Sequence, residues 1–192
     1  MSATAPDVLI ELANGQTISG FCEPEFAGVL EAFRANFAQR KEVGASPCIT
    51  RRGRTVVDLW GGLARPDTAE PWMRDTVSVV YSCTKAATAL CLHMLVDQGR
   101  VTCDTLVGDI WPEFASGGKE TTTVGMMLAH TSPVPHLADP IRPGGLFDWD
   151  YMTARVAAEP AHWVPGTRQG YHGLTYAWTV GQIVRLVSGM PL

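Results

Sequence analysis

The sequence predicts a mixed α/β (α+β) protein, and three patterns carry that expectation. Residues 44–62 alternate and turn like a β-hairpin. Residues 25–39 repeat apolar side chains at helical spacing. Two later apolar stretches, 86–98 and 174–188, are rich in helix formers and each ends at a glycine.

In the first helical stretch, Phe26, Val29, Leu30, Phe33 and Phe37 fall on one stripe, so one face is expected to meet a core. In the hairpin, Ser46–Thr50 forms one strand, Arg51-Arg52-Gly53-Arg54 the turn and Thr55–Trp60 the other strand, with Gly61-Gly62 ending it. An apolar, β-rich run, Thr76-Val77-Ser78-Val79-Val80-Tyr81, follows. The segment from Ser82 to Gln98 is apolar nearly all round, which predicts a helix buried on every side and stopped by Gly99. Thr105 to Phe114 reads as a loop or short turn. Thr123 is placed to cap a short helix, Val124 to Ala129, ending at His130-Thr131-Ser132-Pro133. The Pro- and Gly-rich stretch from Pro135 to Gly145 reads as a long irregular excursion of the kind that shapes binding sites. Trp163-Val164-Pro165-Gly166-Thr167 is a further turn, and Tyr171-His172-Gly173 precedes a last helix, Leu174 to Ser188, capped by Gly189.

Chemistry concentrates at Ser82-Cys83-Thr84-Lys85, an S-x-x-K tetrad at a helix start. A three-residue spacing puts Lys85 one turn on from Ser82 and on the same face. A free hydroxyl is a poor nucleophile at neutral pH and needs a neighbouring base or cation. A buried lysine without a task is costly, so the apolar setting assigns Lys85 one.

Composition excludes other classes. The chain has 192 residues, a formal charge of −4, 46% hydrophobic and 18% charged residues. That balance suits a globular core and gives no reason to expect nucleic acid or an anionic membrane as partner. No apolar run approaches the roughly 20 residues of a membrane span, and residues 1–7 lack a signal-peptide pattern, so a cytoplasmic location is expected. Cys22, Cys48, Cys83, Cys91 and Cys103 are odd in number and widely spaced, which argues against a disulfide framework or zinc site. Cys83 reads as a small apolar residue packing at the helix start. His93, His136 and His162 show no metal spacing with any carboxylate, and there is no glycine-rich nucleotide loop, so no metal and no cofactor are expected. No G-x-S-x-G elbow is present, which argues against an α/β-hydrolase.

The order Ser82-Cys83-Thr84-Lys85, then Leu128-Ala129-His130-Thr131-Ser132, then Pro165-Gly166-Thr167 before Tyr171-His172, resembles the serine β-lactamase and penicillin-binding-protein superfamily, and within it the class C-like esterases called family VIII carboxylesterases. The resemblance implies a β-lactamase-like (transpeptidase-like) fold, an antiparallel sheet flanked by helices plus a helical region. It implies an acyl–enzyme on Ser82, Lys85 holding the proton network, and Tyr171 as general base in the place of the family's Y-x-N tyrosine. The Ser82 backbone N–H would be one oxyanion donor. The substrate expected is a small-molecule carboxylic ester, with amides, D-amino peptides, β-lactams or acyl transfer as neighbouring chemistry. A non-catalytic binding or scaffold remnant is the reading from another class. Gly173 stands where the family has asparagine, which favours esters over β-lactams.

Trp149, Trp163 and His172 are candidates to line a substrate pocket, and His130 is expected to brace its loop rather than move protons. Nothing after Tyr171 matches the family's third motif, the strand carrying K-T-G or a variant. The 192 residues therefore read as the N-terminal portion of a single β-lactamase-like domain whose C-terminal strands are absent from this chain. The hairpin is expected to lack partner strands and expose an edge. A C-terminal companion chain completing the fold is the expected partner, and pairing of copies as a homo-oligomer is the alternative.

Overall fold

The structure is a computed structural model and describes residues 8–192. It divides into two compact units, Met1–Val79 and Val80–Leu192.

The first unit holds β1 (Val8–Glu11), β2 (Thr17–Cys22), α1 (Ala27–Gln39), β3 (Gly44–Ala45), β4 (Cys48–Arg51), β5 (Arg54–Arg65) and β6 (Glu70–Pro71). All pairings are antiparallel, and β5 is the hub, meeting β2, β3, β4 and β6. The β4–β5 hairpin turns on Arg52 and Gly53, with φ of 51° and 77°. Positive φ at both central residues matches the twist of the flanking strands in a two-residue turn. The hairpin has a partner strand on its β5 side, contrary to the sequence expectation, while the outer edge of β4 has none among the described residues, as expected. Ile18 lies opposite Gly61 and Cys22 opposite Val57, so β2 covers one edge of β5, and β1 extends the sheet beyond it. The β1–β2 hairpin itself was not anticipated. Ile18, Val56, Val57 and Leu59 are fully buried with Phe33 and Phe37 of α1. Gly62 (φ 83°) lies where a Cβ would sit 2.2 Å from the Val43 carbonyl oxygen, so glycine is required for that close approach.

The run Thr76–Val80 forms no strand, and Val77 and Val79 are exposed. Its β-branched residues have the propensity but no neighbouring strand among the described residues.

The second unit is helical: α2 (Thr84–Asp97), α3 (Val107–Ile110), α4 (Val124–Leu128), α5 (Trp149–Ala158) and α6 (Tyr176–Ser188). Its buried helix is α6, not α2. Tyr176, Trp178, Thr179, Val180, Gly181, Ile183 and Val184 are all buried, and Gly189 (φ 78°) closes the helix with its N–H on the Arg185 carbonyl. On α2 only Thr88, Leu92 and Leu95 are buried, while Leu90 is 61% and Met94 54% exposed. The expectation of a helix buried all round is corrected: one face of α2 packs against α6 and the other is open. Cys83 is likewise exposed rather than packed. Thr123 caps α4, its Oγ1 accepting from the Met126 N–H at 3.2 Å. The segment 105–114, expected as a loop or short turn, holds the single turn α3 and a 3₁₀ turn at Pro112–Phe114. Residue 149 begins α5, capped by Asp148, whose carboxylate accepts from the Tyr151 N–H at 3.0 Å. Among the described residues no helix is long and apolar enough to cross a membrane.

Candidate active site

A short 3₁₀ turn, Tyr81–Cys83, runs into α2 and presents Ser82 at its start. Tyr81 has φ 45°, a left-handed conformation that is strained for a bulky residue and is seen where surrounding structure fixes a functional side chain. The Cys83 N–H donates to the Val80 carbonyl at 3.1 Å, whereas the Ser82 N–H has no partner among the described residues. It is free at the helix N-terminus, where a developing negative charge is favoured.

Lys85, one turn along, donates through Nζ to Ser82 Oγ at 3.1 Å and to the Gly173 carbonyl oxygen at 2.8 Å. No carboxylate pairs with it among the described residues. Its ammonium lies 4.9 Å from the Tyr171 ring centre and 5.9 Å from that of Tyr176. The Tyr171 hydroxyl donates to Ser82 Oγ at 2.5 Å. Hydrogen bonding to Ser82, then to Lys85, and the Lys85 charge together lower the phenol's pKa from the usual 10.0. Three groups that are unreactive alone thus share one hydrogen-bonded cluster. Position 173 is glycine, and its backbone carbonyl is what anchors the lysine.

The landmarks read in the sequence converge because residues 129–133 run along residues 162–172. Thr131 O accepts from the Gly166 N–H at 3.1 Å, Pro133 O from His162 at 2.9 Å and His130 O from Gly170 at 3.0 Å. Trp163 is not among the residues lining the cavity at Tyr171. Its indole N–H donates to Thr131 O at 3.2 Å, and its ring packs under Gly170, where a Cβ would come within 2.7 Å of it. Trp149 packs on α6, donating to Gln182 Oε1 at 2.8 Å, and borders a different cavity from the one at Tyr171. His172 is fully buried. Its Nδ1–H donates to Gly170 O at 2.7 Å, and burial lowers its pKa to about 4, so it is a neutral structural histidine.

The cavity beside Tyr171 has a volume of about 530 Å³ and is walled by Pro135, Leu137, Ile141, Met152 and Gly173. That size suits a small organic ligand. The Pro-rich excursion supplies most of its wall, and Thr175 ties it down by donating to the Val134 and Pro135 carbonyls at 3.0 Å each. None of these lining side chains carries a motif, so only the irregular composition of the segment pointed to it. No cluster of His, Cys, Asp or Glu fit to hold a metal occurs among the described residues.

A serine hydroxyl, a lysine and a tyrosine within hydrogen-bonding reach form an arrangement chemically able to carry acyl transfer. The family model described as Beta-lactamase matches residues 29–192. The chain belongs to that family. It is 34% identical to the "Esterase/beta-lactamase LipL" of Mycobacterium tuberculosis over 181 residues, 93% of this chain and 41% of LipL. A crystal structure of a family VIII carboxylesterase is 40% identical with a TM-score of 0.83, covering 90% of this chain and 47% of that one. A penicillin-binding protein homolog from Caulobacter crescentus is also 40% identical, with a TM-score of 0.85, covering 91% and 47%. The chain therefore spans less than half the length of these relatives, and the mixed α/β architecture with its antiparallel sheet is that of the family.

Proposed function

We propose that this protein is a serine esterase that cleaves small carboxylic esters through an acyl–enzyme on Ser82. The observation that carries the reading is the single cluster in which Ser82 Oγ accepts from both Tyr171 and Lys85. In its phenolate form Tyr171 takes the Ser82 proton as Oγ bonds to the acyl carbon. The carbonyl oxygen becomes an oxyanion facing the Ser82 N–H. Collapse breaks the ester C–O bond, and Tyr171 returns the proton to the departing alcohol. Water then attacks the acyl–enzyme, giving a proton to Tyr171, and the acid leaves as Ser82 Oγ regains that proton. Throughout, Lys85 donates to Ser82 Oγ and lies over the Tyr171 ring. The relatives named esterase or carboxylesterase support ester chemistry. Glycine at 173 offers no side-chain amide beside Lys85, which favours esters over β-lactams. The cavity at Tyr171 suits a short or medium acyl or alcohol group.

The open face of α2, with Leu90 and Met94 exposed, supports a covering polypeptide: a C-terminal companion that also brings a second oxyanion donor, or another copy of the protein.

The test is intact mass after a fluorophosphonate. One adduct on Ser82, absent from Ser82→Ala, is expected, together with hydrolysis of p-nitrophenyl butyrate. Equal labelling of both proteins would remove Ser82 from the chemistry. Gly170→Ala gives an independent check on the placement of Tyr171. Its Cβ meets the Trp163 ring, which is pinned to Thr131, so the Tyr171 turn must shift. A loss in kcat of roughly tenfold is expected, since displacements near 1 Å at a reacting group are that damaging. Steady-state kinetics on p-nitrophenyl butyrate measure it.

A further inference from the structure

His130 brackets Tyr171 from both sides. Its backbone carbonyl accepts from the Gly170 N–H at 3.0 Å, and its side-chain Nδ1 accepts from the His172 N–H at 3.1 Å. The residues immediately before and after Tyr171 are therefore held by one histidine. Its ring also lies 5.2 Å from the Tyr171 ring and 4.7 Å from that of Tyr176 on α6. His130 itself has φ 60°, an uncommon conformation for a non-glycine residue that lets backbone and ring point at the same turn.

The bond to His172 N–H fixes the tautomer. Nδ1 must present a lone pair, so the proton of neutral His130 sits on Nε2. The neighbouring imidazole agrees with that assignment: His172 Nδ1 carries its own proton toward Gly170 O and lies 3.3 Å from His130 Nδ1.

We propose that His130 is a positioning residue for Tyr171, and that protonation of its Nδ1 switches the site off by turning the acceptor that holds the His172 N–H into a second donor. The proposal rests on the catalytic reading of Tyr171. Two N–H groups would then face each other at about 3 Å, and the turn carrying Tyr171 would move away from Ser82. The groups that face His130 are Tyr171 and His172 on the following segment, Tyr176 on α6 and Lys85 on α2. Burial, then the Lys85 charge, lower its pKa from 6.5. The sign follows: neutral His130 is the working form, so on acidification below the ordinary histidine range activity falls more steeply than protonation of Tyr171 alone makes it. His172 titrates lower, at about 4; its neutral form already presents Nδ1–H to Gly170 O, so its protonation would add a proton only at the buried Nε2.

The experiment compares His130→Ala and His130→Asn in the full-length protein, with kcat and KM for p-nitrophenyl butyrate followed from pH 4 to 9. Asparagine can place Oδ1 near the Nδ1 position but does not titrate. His130→Ala is expected to lose roughly tenfold or more in kcat with KM changed less than about threefold, since misplacement of a reacting group acts on the transition state. His130→Asn is expected to restore kcat to within about threefold of wild type and to lose the extra steepness below the histidine range, keeping only the limb set by Tyr171. An acid limb unchanged in His130→Asn, or wild-type kcat in His130→Ala, overturns the positioning role. Ser82→Ala and Tyr171→Phe run beside them: if these retain activity, the catalytic reading itself falls, and the proposal with it. If they lose activity while the His130 variants behave as wild type, only the positioning role falls.

Discussion

Lys85→Met should lower kcat/KM for p-nitrophenyl butyrate by roughly 10³–10⁴-fold, the upper range for removing a group that moves or steadies a proton in the transition state. Methionine keeps the unbranched apolar stem, so the change removes the charge and its donors rather than packing. Ser82 Oγ loses its 3.1 Å donor and the Gly173 carbonyl its 2.8 Å donor. Tyr171 loses two of the influences that lower its pKa, the Lys85 hydrogen bond and the Lys85 charge, so less phenolate is present at neutral pH. The rate of fluorophosphonate labelling at Ser82 should fall in parallel, because acylation is the step affected. Lys85→Arg should fail to restore either rate. Guanidinium is longer, planar and permanently protonated, and cannot sit on Ser82 Oγ and Gly173 O in the same geometry. Wild-type kinetics in Lys85→Met would place the lysine outside the mechanism.

The same cluster shows what the sequence could and could not reveal. Ser82 and Lys85 were legible because a helix turn fixes their relation within four residues. Tyr171 is 89 positions away from Ser82, and nothing local links it; only the resemblance to a family did so. The carbonyl that anchors Lys85 was invisible, since any residue at 173 has one. The β4–β5 hairpin was readable from Arg52-Gly53, and the end of α6 from Gly189, because both depend on local backbone conformation. Burial is not legible where it depends on what lies opposite. The sequence shows that α2 is apolar, but the residues that cover a helix are set by tertiary packing, and here they protect α6 instead. α5 was hidden by the Pro- and Gly-rich run before it, although Asp148 as cap with Met152 and Val156 one turn apart were its available signals. Trp149 and Trp163 stand out in the sequence as aromatic groups in or near irregular segments, and His172 as a polar group beside the family's asparagine position. Each fastens one segment to another, which requires knowing the segment it reaches.

Tyr171→Phe should lower kcat by roughly 10²–10³-fold, as expected for loss of a positioned base. The ring is retained, and with it the packing on His130 at 5.2 Å, so the melting temperature should change little. What disappears is the hydroxyl that lies 2.5 Å from Ser82 Oγ. The pH profile distinguishes a base from a mere hydrogen-bond partner. The phenolate is the form that accepts the serine proton, so wild-type activity should rise with pH and level off above the pKa of Tyr171. Hydrogen bonding to Ser82, and then to Lys85, lowers that pKa from 10.0, which moves the rising limb toward neutral pH. In Tyr171→Phe the limb should vanish while a low, flat rate remains. If the variant loses activity but keeps the rising limb, the titrating base is another group. Lys85 is then the one within reach of Ser82 Oγ, and Tyr171 serves only to orient the hydroxyl.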